Sequence, residues 1–592
     1  MSARMRRTIL TATVLAAACL SSGAAATAAA ATTPPALPSQ DPFYTYSGPL
    51  SSIAPGTVLR ARTVRVAWAG LPTPVTATQL LYRTSNQLGA PTVTVTTVLQ
   101  PAPRSAALPP RILSYQLFYD GLGSECDPSY NVRDASLEDT SQVEAGNTQS
   151  GNDTQVEEGF MTPYLAAGDT LVISDYEGED LAWGAGQESA YQTLDGIRAA
   201  ESFLKVDRRR TPVAMLGYSG GSIPTQWADE IAPAYAPELD LVGAAAGGVP
   251  VDFADELPYL NGSPSWAGVV PGVLVGVARG FHVDLLSYLS AYGQQLARTV
   301  SGECANSFES SYPGLTIGQL FGPAYQNPLA NPVMAGVINQ LIMGSDGTPR
   351  APLFLGVGDS DGTGDGVIAA ASVEGLARLY CERGASVQFD EYQQLNHLEA
   401  GAPFEAHAYA LIQAWLAGVA TPNGCGNIGG GSSLAPLPAG SSPPAPPAGT
   451  ISSADATSVE RSGNATTFDG DAALTLNGAG SATLSQFAPG HDPVAPTTFP
   501  STGEFLDVAT SPRSDLSGVS LSICGVKRAR NLEWWSPTAN SGVGAWKPLV
   551  PAATRGVNRV KGGPSPCLRV SLSSSSSPSL SQLDDVVLAL RS

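Results

Sequence analysis

Histidine occurs only four times in the chain, at His282, His397, His407 and His491, so chemistry that needs an imidazole base has few places to stand. Basic residues are scarce too: 31 Lys and Arg face 51 Asp and Glu, a formal charge of −20. That balance argues against nucleic acid or an anionic membrane surface as a partner. Long apolar runs are missing after the first turns of the chain, and no later stretch has the length to span a bilayer.

What is there begins with a leader. Arg4, Arg6 and Arg7 precede an apolar run over 9–20, and Ala-rich sequence with A-x-A cleavage options runs to Ala31. This reads as a secretory signal peptide, 1–31, and places the mature chain outside the cell. Cys19 lacks the larger aliphatic residue three positions earlier that a lipid attachment site needs. The other cysteines are Cys126, Cys304, Cys381, Cys425, Cys524 and Cys567, an even set in an oxidising compartment, so disulfides are expected.

At 592 residues the chain is longer than one core usually takes. A Gly/Ser and then Pro-rich stretch, 428–450, reads as a linker, part flexible and part extended. Before it, in 41–427, short apolar strands (111–118, 170–174, 213–217, 241–245, 352–357 and 387–392) alternate with helical segments such as 187–204 and 370–381. Strands separated by helices predict parallel pairing in a sheet covered on both faces, with ligands at the carboxyl ends of the strands. After it, 451–592 carries alternating apolar and polar residues with glycine turns, an all-β, sandwich-like pattern. Trp534, Trp535 and Trp546 there are expected mainly as buried aromatics, with stacking on sugar or polymer as the alternative. Cys524 and Cys567, the only cysteines beyond the linker, should pair with each other.

The most informative stretch is 212–227. An apolar run, 213–216, enters Gly217-Tyr218-Ser219-Gly220-Gly221, and helical sequence follows. Strand, tight turn and helix around G-x-S-x-G is the nucleophile elbow, whose strained turn needs small residues two before and two after the serine. A second match, Gly358 to Gly362 around Ser360, is followed by loop sequence and reads as a loop.

A serine hydroxyl needs a base, and the base needs an orienting acid. His397 follows the last strand of the region and fits. His407 lies on the helix expected next, His491 beyond the linker, and His282 in an insertion ahead of any candidate acid. Asp359, Asp361 and Asp365 all follow the strand 352–357; Asp365, followed by Gly-Val-Ile and a helix, has the strand-end context and is preferred to Asp361. Glu399 reads as a surface residue. No metal or cofactor is implied, and substrate-binding residues are left unassigned.

The insertion, 250–350, contains an apolar run over 266–277 and a second over 285–289. It is too short and too broken by Pro271 and glycines to span a membrane, and its place over the catalytic edge suits a cap that encloses an acyl chain; plain cap core is the competing reading.

These residues resemble the secretory lipases over 41–426. The resemblance rests on Asp41-Pro42-Phe43-Tyr44, Tyr115-Gln116 leading to Tyr119-Asp120, Cys126-Asp127-Pro128-Ser129-Tyr130, Asp175-Tyr176-Glu177-Gly178, Leu194-Asp195-Gly196-Ile197-Arg198 and the elbow itself. It implies an α/β-hydrolase fold with a mainly helical cap, beside the C-terminal β domain. The family spacing of acid, cysteine and histidine selects Asp365, Cys381 and His397. It also implies an oxyanion hole from the backbone N–H groups of Gly220 and Asp120, and the pairs Cys126–Cys304 and Cys381–Cys425. An ionised Asp120 would repel an oxyanion, so its carboxyl is expected protonated or turned away. The activity implied is a secreted serine lipase on acylglycerols, with a lipid ester substrate taken at a lipid–water interface. The alternatives are an esterase or polyesterase for shorter or polymeric esters, and a non-catalytic binding protein of the same fold.

Overall fold

The computed structural model describes residues 35–68, 71–102, 110–133, 152–322, 325, 327–438, 457–462, 466–469, 472–479, 481–486, 499–510, 515–525, 530–536, 545–560, 563–583 and 586–592. The leader, the later part of the linker (439–450) and His491 lie outside the described residues.

Runs such as Leu171, Val172 and Ile173, or Val213 to Leu216, carry no polar alternation because both of their faces are covered. They form the middle of a sheet built from β1 (Val58–Val64), β2 (Val75–Ser85), β3 (Pro91–Pro101), β4 (Ile112–Gln116), β5 (Thr170–Ser174), β6 (Pro212–Tyr218), β7 (Asp240–Gly247), β8 (Leu353–Asp359) and β9 (Val387–Gln393). The order across the sheet is β1-β2-β3-β5-β4-β6-β7-β8-β9. From β5 to β9 every pairing is parallel, whereas β1, β2, β3 and β5 pair antiparallel. The six strands expected from sequence are β4 to β9; β1 to β3 were not read there.

The helices are α1 (Asn152–Ala166), α2 (Gly186–Leu204), α3 (Ser222–Tyr235), α4 (Phe253–Leu260), α5 (Val269–Gly280), α6 (Ala291–Val300), α7 (Pro332–Ile338), α8 (Ala370–Glu382) and α9 (His397–Leu416), with shorter turns between them. Alternate residues of β6 serve two cores. Val213 and Met215 join Leu194 and Ile197 of α2, Trp227 of α3 and Leu376 of α8. Ala214 and Leu216 join Met161 and Tyr164 of α1 and Phe404 and Trp415 of α9. Approach is close: a Cβ on Gly243 would lie 2.1 Å from the Trp415 ring.

Helices α4 to α7 form the cap over the carboxyl ends of the strands, around Leu257, Val270, Leu296, Phe308 and Ile338. The Cys126–Cys304 disulfide ties it to the loop after β4, Cys381–Cys425 ties α8 to the chain end of the α/β part, and Cys524–Cys567 joins two directly opposed strand residues in the C-terminal part.

In that C-terminal part a six-stranded and a five-stranded antiparallel sheet share one core, with Leu506, Leu532, Trp534 and Leu588 from the first and Leu474, Leu521, Leu568 and Val570 from the second. Trp534 is core, as expected of a sandwich aromatic. Trp535 and Trp546 stack edge to face, Phe499 joins them, and this trio with the buried Ala589 packs into the cap's apolar cluster. The first part of the linker is seated rather than flexible: Glu374 of α8 accepts the N–H groups of Gly429 and Gly431, the Ser432 N–H reaches the Ala371 carbonyl, and Leu437 and Asn339 exchange two hydrogen bonds.

Candidate active site

β6 ends at Tyr218, Ser219 turns the chain with φ at +52°, and α3 starts at Ser222. A left-handed serine is a strained residue held by its surroundings. The glycines around it are forced: a Cβ on Gly217 would sit 2.0 Å from the Gly221 carbonyl oxygen, and one on Gly221 would sit 2.0 Å from that of Gln116.

His397 is the first residue of α9. Asn396 caps the helix, with its side chain accepting the Glu399 N–H while Glu399 accepts the Asn396 N–H. Glu399 is thus half of a capping box that fixes where the histidine starts. The His397 N–H donates to the Asp365 carbonyl at 2.9 Å, and the Tyr218 hydroxyl donates to the His397 carbonyl at 2.5 Å. With its backbone held twice, the ring bridges the site: Nδ1 lies 2.7 Å from Asp365 Oδ2 and Nε2 lies 2.7 Å from Ser219 Oγ.

Asp365 is fully buried, and its second oxygen accepts the N–H groups of Val367 and Ile368 at 2.9 and 2.7 Å. Asp361 is exposed and closes its own loop through Thr363, Asp359 accepts from Gly362 and Gly364, and the Ser360 hydroxyl donates to the Gly364 carbonyl. The structure therefore brings Ser219, His397 and Asp365 together and leaves Ser360, Asp359 and Asp361 in the loop. His407 pairs with Asp390 on the outer face, and His282 is exposed in the cap.

Burial alone would push His397 toward the neutral form; the Asp365 carboxylate, with Asp120 and Glu309 adding to it, outweighs that and raises its pKa above the ordinary 6.5.

Gly220 follows the serine, and Asp120 stands opposite with φ at +40°. The Asp120 carbonyl accepts the Ala305 N–H from the cap, and the Gly121 N–H donates to Glu177. A Cβ on Gly220 would fall 1.5 Å from Asp120 Oδ1, so the carboxyl lies across Gly220 and lines the same cavity as Ser219. It has not turned out of the site. Burial, then the nearby Asp120 charge, hold Glu177 well above the usual carboxylate range.

A cavity of about 70 Å³ opens from Ser219 and His397, walled mainly by Ile223, Phe253, Leu257, Leu260, Val269 and Val273. A second, wholly apolar one of about 40 Å³ shares Phe253, Leu257 and Val273 and runs on to Met334 and Ile338. Trp266, which opens the run 266–277 expected in the cap, also lines the first cavity; so do Trp183, Glu256 and Glu309, which sequence does not single out. Glu256, buried beside Asp365, accepts the Ala369 N–H and is pushed well above its ordinary range by burial first and Asp365 second. Nothing local in an amphipathic cap helix distinguishes such an acid from a solvated one; only the tertiary fold does.

Residues 143–424 match the family model described as secretory lipase. A protein named probable inactive lipase, from Mycobacterium tuberculosis, is 34% identical over 377 residues, 62% of this chain and 80% of that one. The trichothecene C-3 esterase of Fusarium sporotrichioides is 32% identical over 408 residues, 64% of this chain and 83% of that one. Among solved structures, the closed state of Candida antarctica lipase A superposes with a TM-score of 0.59 at 29% identity, covering 68% of this chain and 91% of that one.

Proposed function

The chain belongs to the secretory lipase family, and from that premise we propose that it is a secreted serine ester hydrolase whose nucleophile is Ser219. The observation that carries this reading is the unbroken run Ser219 Oγ, His397, Asp365, with both links at 2.7 Å and the serine in a left-handed turn. Asp365 holds Nδ1–H, which leaves the Nε2 lone pair for the serine proton. Ser219 Oγ attacks the ester carbonyl carbon, the C=O π bond opens and its oxygen becomes an oxyanion beside the N–H groups of Gly220 and Asp120; since the Asp120 carboxyl stays in the site, this reading has it protonated when the oxyanion forms. His397 passes its proton to the leaving alcohol oxygen, and water then repeats the cycle on the acyl-enzyme.

The acyl group enters the apolar cavity, which fits a lipid ester, and acylglycerols are the substrate class we assign. The second cavity shares Phe253, Leu257 and Val273 with the first, so a longer acyl group extends between α4 and α5 toward Met334 and Ile338. Export rests on the arginine-led leader.

A non-catalytic binding role is the second reading, favoured by the relative named inactive. Hydrolysis of short p-nitrophenyl esters by the purified protein and by Ser219→Ala separates the two. The expected result is turnover lost by at least about a thousandfold in the variant; an inert parent protein would leave the binding role.

A further inference from the structure

A groove of about 970 Å³ adjoins the catalytic cavity, and Trp266 and Glu309 line both spaces. The Trp266 ring stands edge to face against His397, with centroids 5.7 Å apart. The groove's wall mixes apolar surface, with Pro258, Pro264 and Leu398, and hydrogen-bonding side chains, among them Asn261, Ser265, Ser310, Thr363 and Asn396. The side-chain oxygens of Asn261 and Asn396 are taken by the N–H groups of Ile317 and Glu399, so each presents its NH₂ end as a donor. Asn396 immediately precedes His397.

We propose that this groove is the alcohol subsite, built for a polyhydroxylated leaving group of up to sugar size. The inference rests on the reading of Ser219 and His397 as nucleophile and base. In that reaction the leaving oxygen must lie within hydrogen-bond reach of His397 Nε2, because that atom delivers its proton. The acyl side is committed to the apolar cavity and the oxyanion to Gly220 and Asp120. The groove adjoins that cavity at Trp266 and Glu309, which line both, and it is there that the alcohol is placed. A second acyl chain there would strip water from donors and acceptors without replacing their hydrogen bonds, whereas hydroxyl groups would replace them. The alcohol leaves carrying the proton from Nε2 and the acyl group stays on Ser219 Oγ.

The test holds the acyl group fixed as butanoyl and varies the alcohol: methyl butanoate, 1-butanoylglycerol, tributanoylglycerol and glucose 6-butanoate. The expected kcat/KM for the glycerol monoester and the glucose ester exceeds that for the methyl ester by at least about tenfold, about 1.4 kcal/mol, with tributanoylglycerol below them. Ser265→Trp and Ser310→Trp, at exposed positions of the wall, should each collapse the glucose-to-methyl ratio toward one, with folding followed by near-ultraviolet circular dichroism. Equal rates on methyl and glucose esters, a preference for the triester, or a ratio untouched by both tryptophans overturns the subsite while leaving the hydrolase reading intact. No turnover of any of the four esters overturns both.

Discussion

Asp361 and Asp365 stand four residues apart and differ in everything an orienting acid needs. Asp365 is buried, accepts two backbone N–H groups with one oxygen and holds the imidazole with the other; Asp361 is exposed and bonds within its loop. Asp365→Asn should cut turnover by about 10⁴-fold, because an amide holds the wrong tautomer, while Asp361→Asn stays within about threefold. Steady-state rates on one soluble ester decide it, and the reverse ranking removes Asp365 from its role. The base has a pH signature. It works only when neutral and its pKa lies above 6.5, so kcat/KM should rise with pH to a midpoint above 6.5. Glu309→Gln takes away one of the carboxyl groups that favour the imidazolium, and the midpoint should move down; an upward move or none would mean that Glu309 does not act on His397. At this scale the serine and histidine were legible because the turn demands glycines at fixed offsets and histidine is rare. The orientation of the Asp120 carboxyl was not, because it depends on what the cap and Gly220 leave open.

Among the elements, α4 and α5 carry the acyl reading, since Phe253, Leu257 and Val273 wall both apolar cavities. Val273→Trp should close the passage between them: rates on acetyl and butanoyl esters are expected within about threefold of the parent, and rates on dodecanoyl esters to fall at least about tenfold. A chain-length profile of unchanged shape would place long acyl groups elsewhere. Strands β4 to β9 were legible as short apolar runs between helical segments. Strands β1 to β3 were not, because their threonine-rich sequences, such as Thr92, Thr94, Thr96 and Thr97 in β3, dilute the apolar signal, and their burial comes from α1, α2 and the 3₁₀ turns ahead of them. The stretch from 428 is rich in glycine and serine, yet its first residues dock because Glu374 offers two carboxylate oxygens to their backbone N–H groups.

For the whole molecule, burial sets a pH trend. Burial raises Asp175 to about 7 and both Glu188 and Glu405 to about 8, far above their unfolded values near 4. The folded chain therefore binds more protons than the unfolded chain between about pH 4 and 8, and stability falls as pH rises through that window. The midpoint of thermal unfolding should be higher at pH 5 than at pH 8; the opposite order contradicts the burial of these acids. The domain boundary in 428–450 is our proposal, and the aromatic trio at the cap sharpens it. A chain ending at residue 438 keeps the docked strap and every residue assigned to chemistry, so it should hydrolyse a small soluble ester within about tenfold of the full chain. A larger loss would show that Phe499, Trp535 and Trp546 shape the site through the cap.

The central claim is that Ser219 is a nucleophile activated by His397, and covalent capture tests it most directly. The full chain is treated with a p-nitrophenyl alkylphosphonate, released nitrophenol is counted, and the modified peptide is located by mass spectrometry. The account predicts one equivalent bound at Ser219, activity lost in step with labelling, and no label in Ser219→Ala or His397→Ala. Hydrolysis that persists without a label at Ser219, or a label on Ser360 in its place, would contradict it.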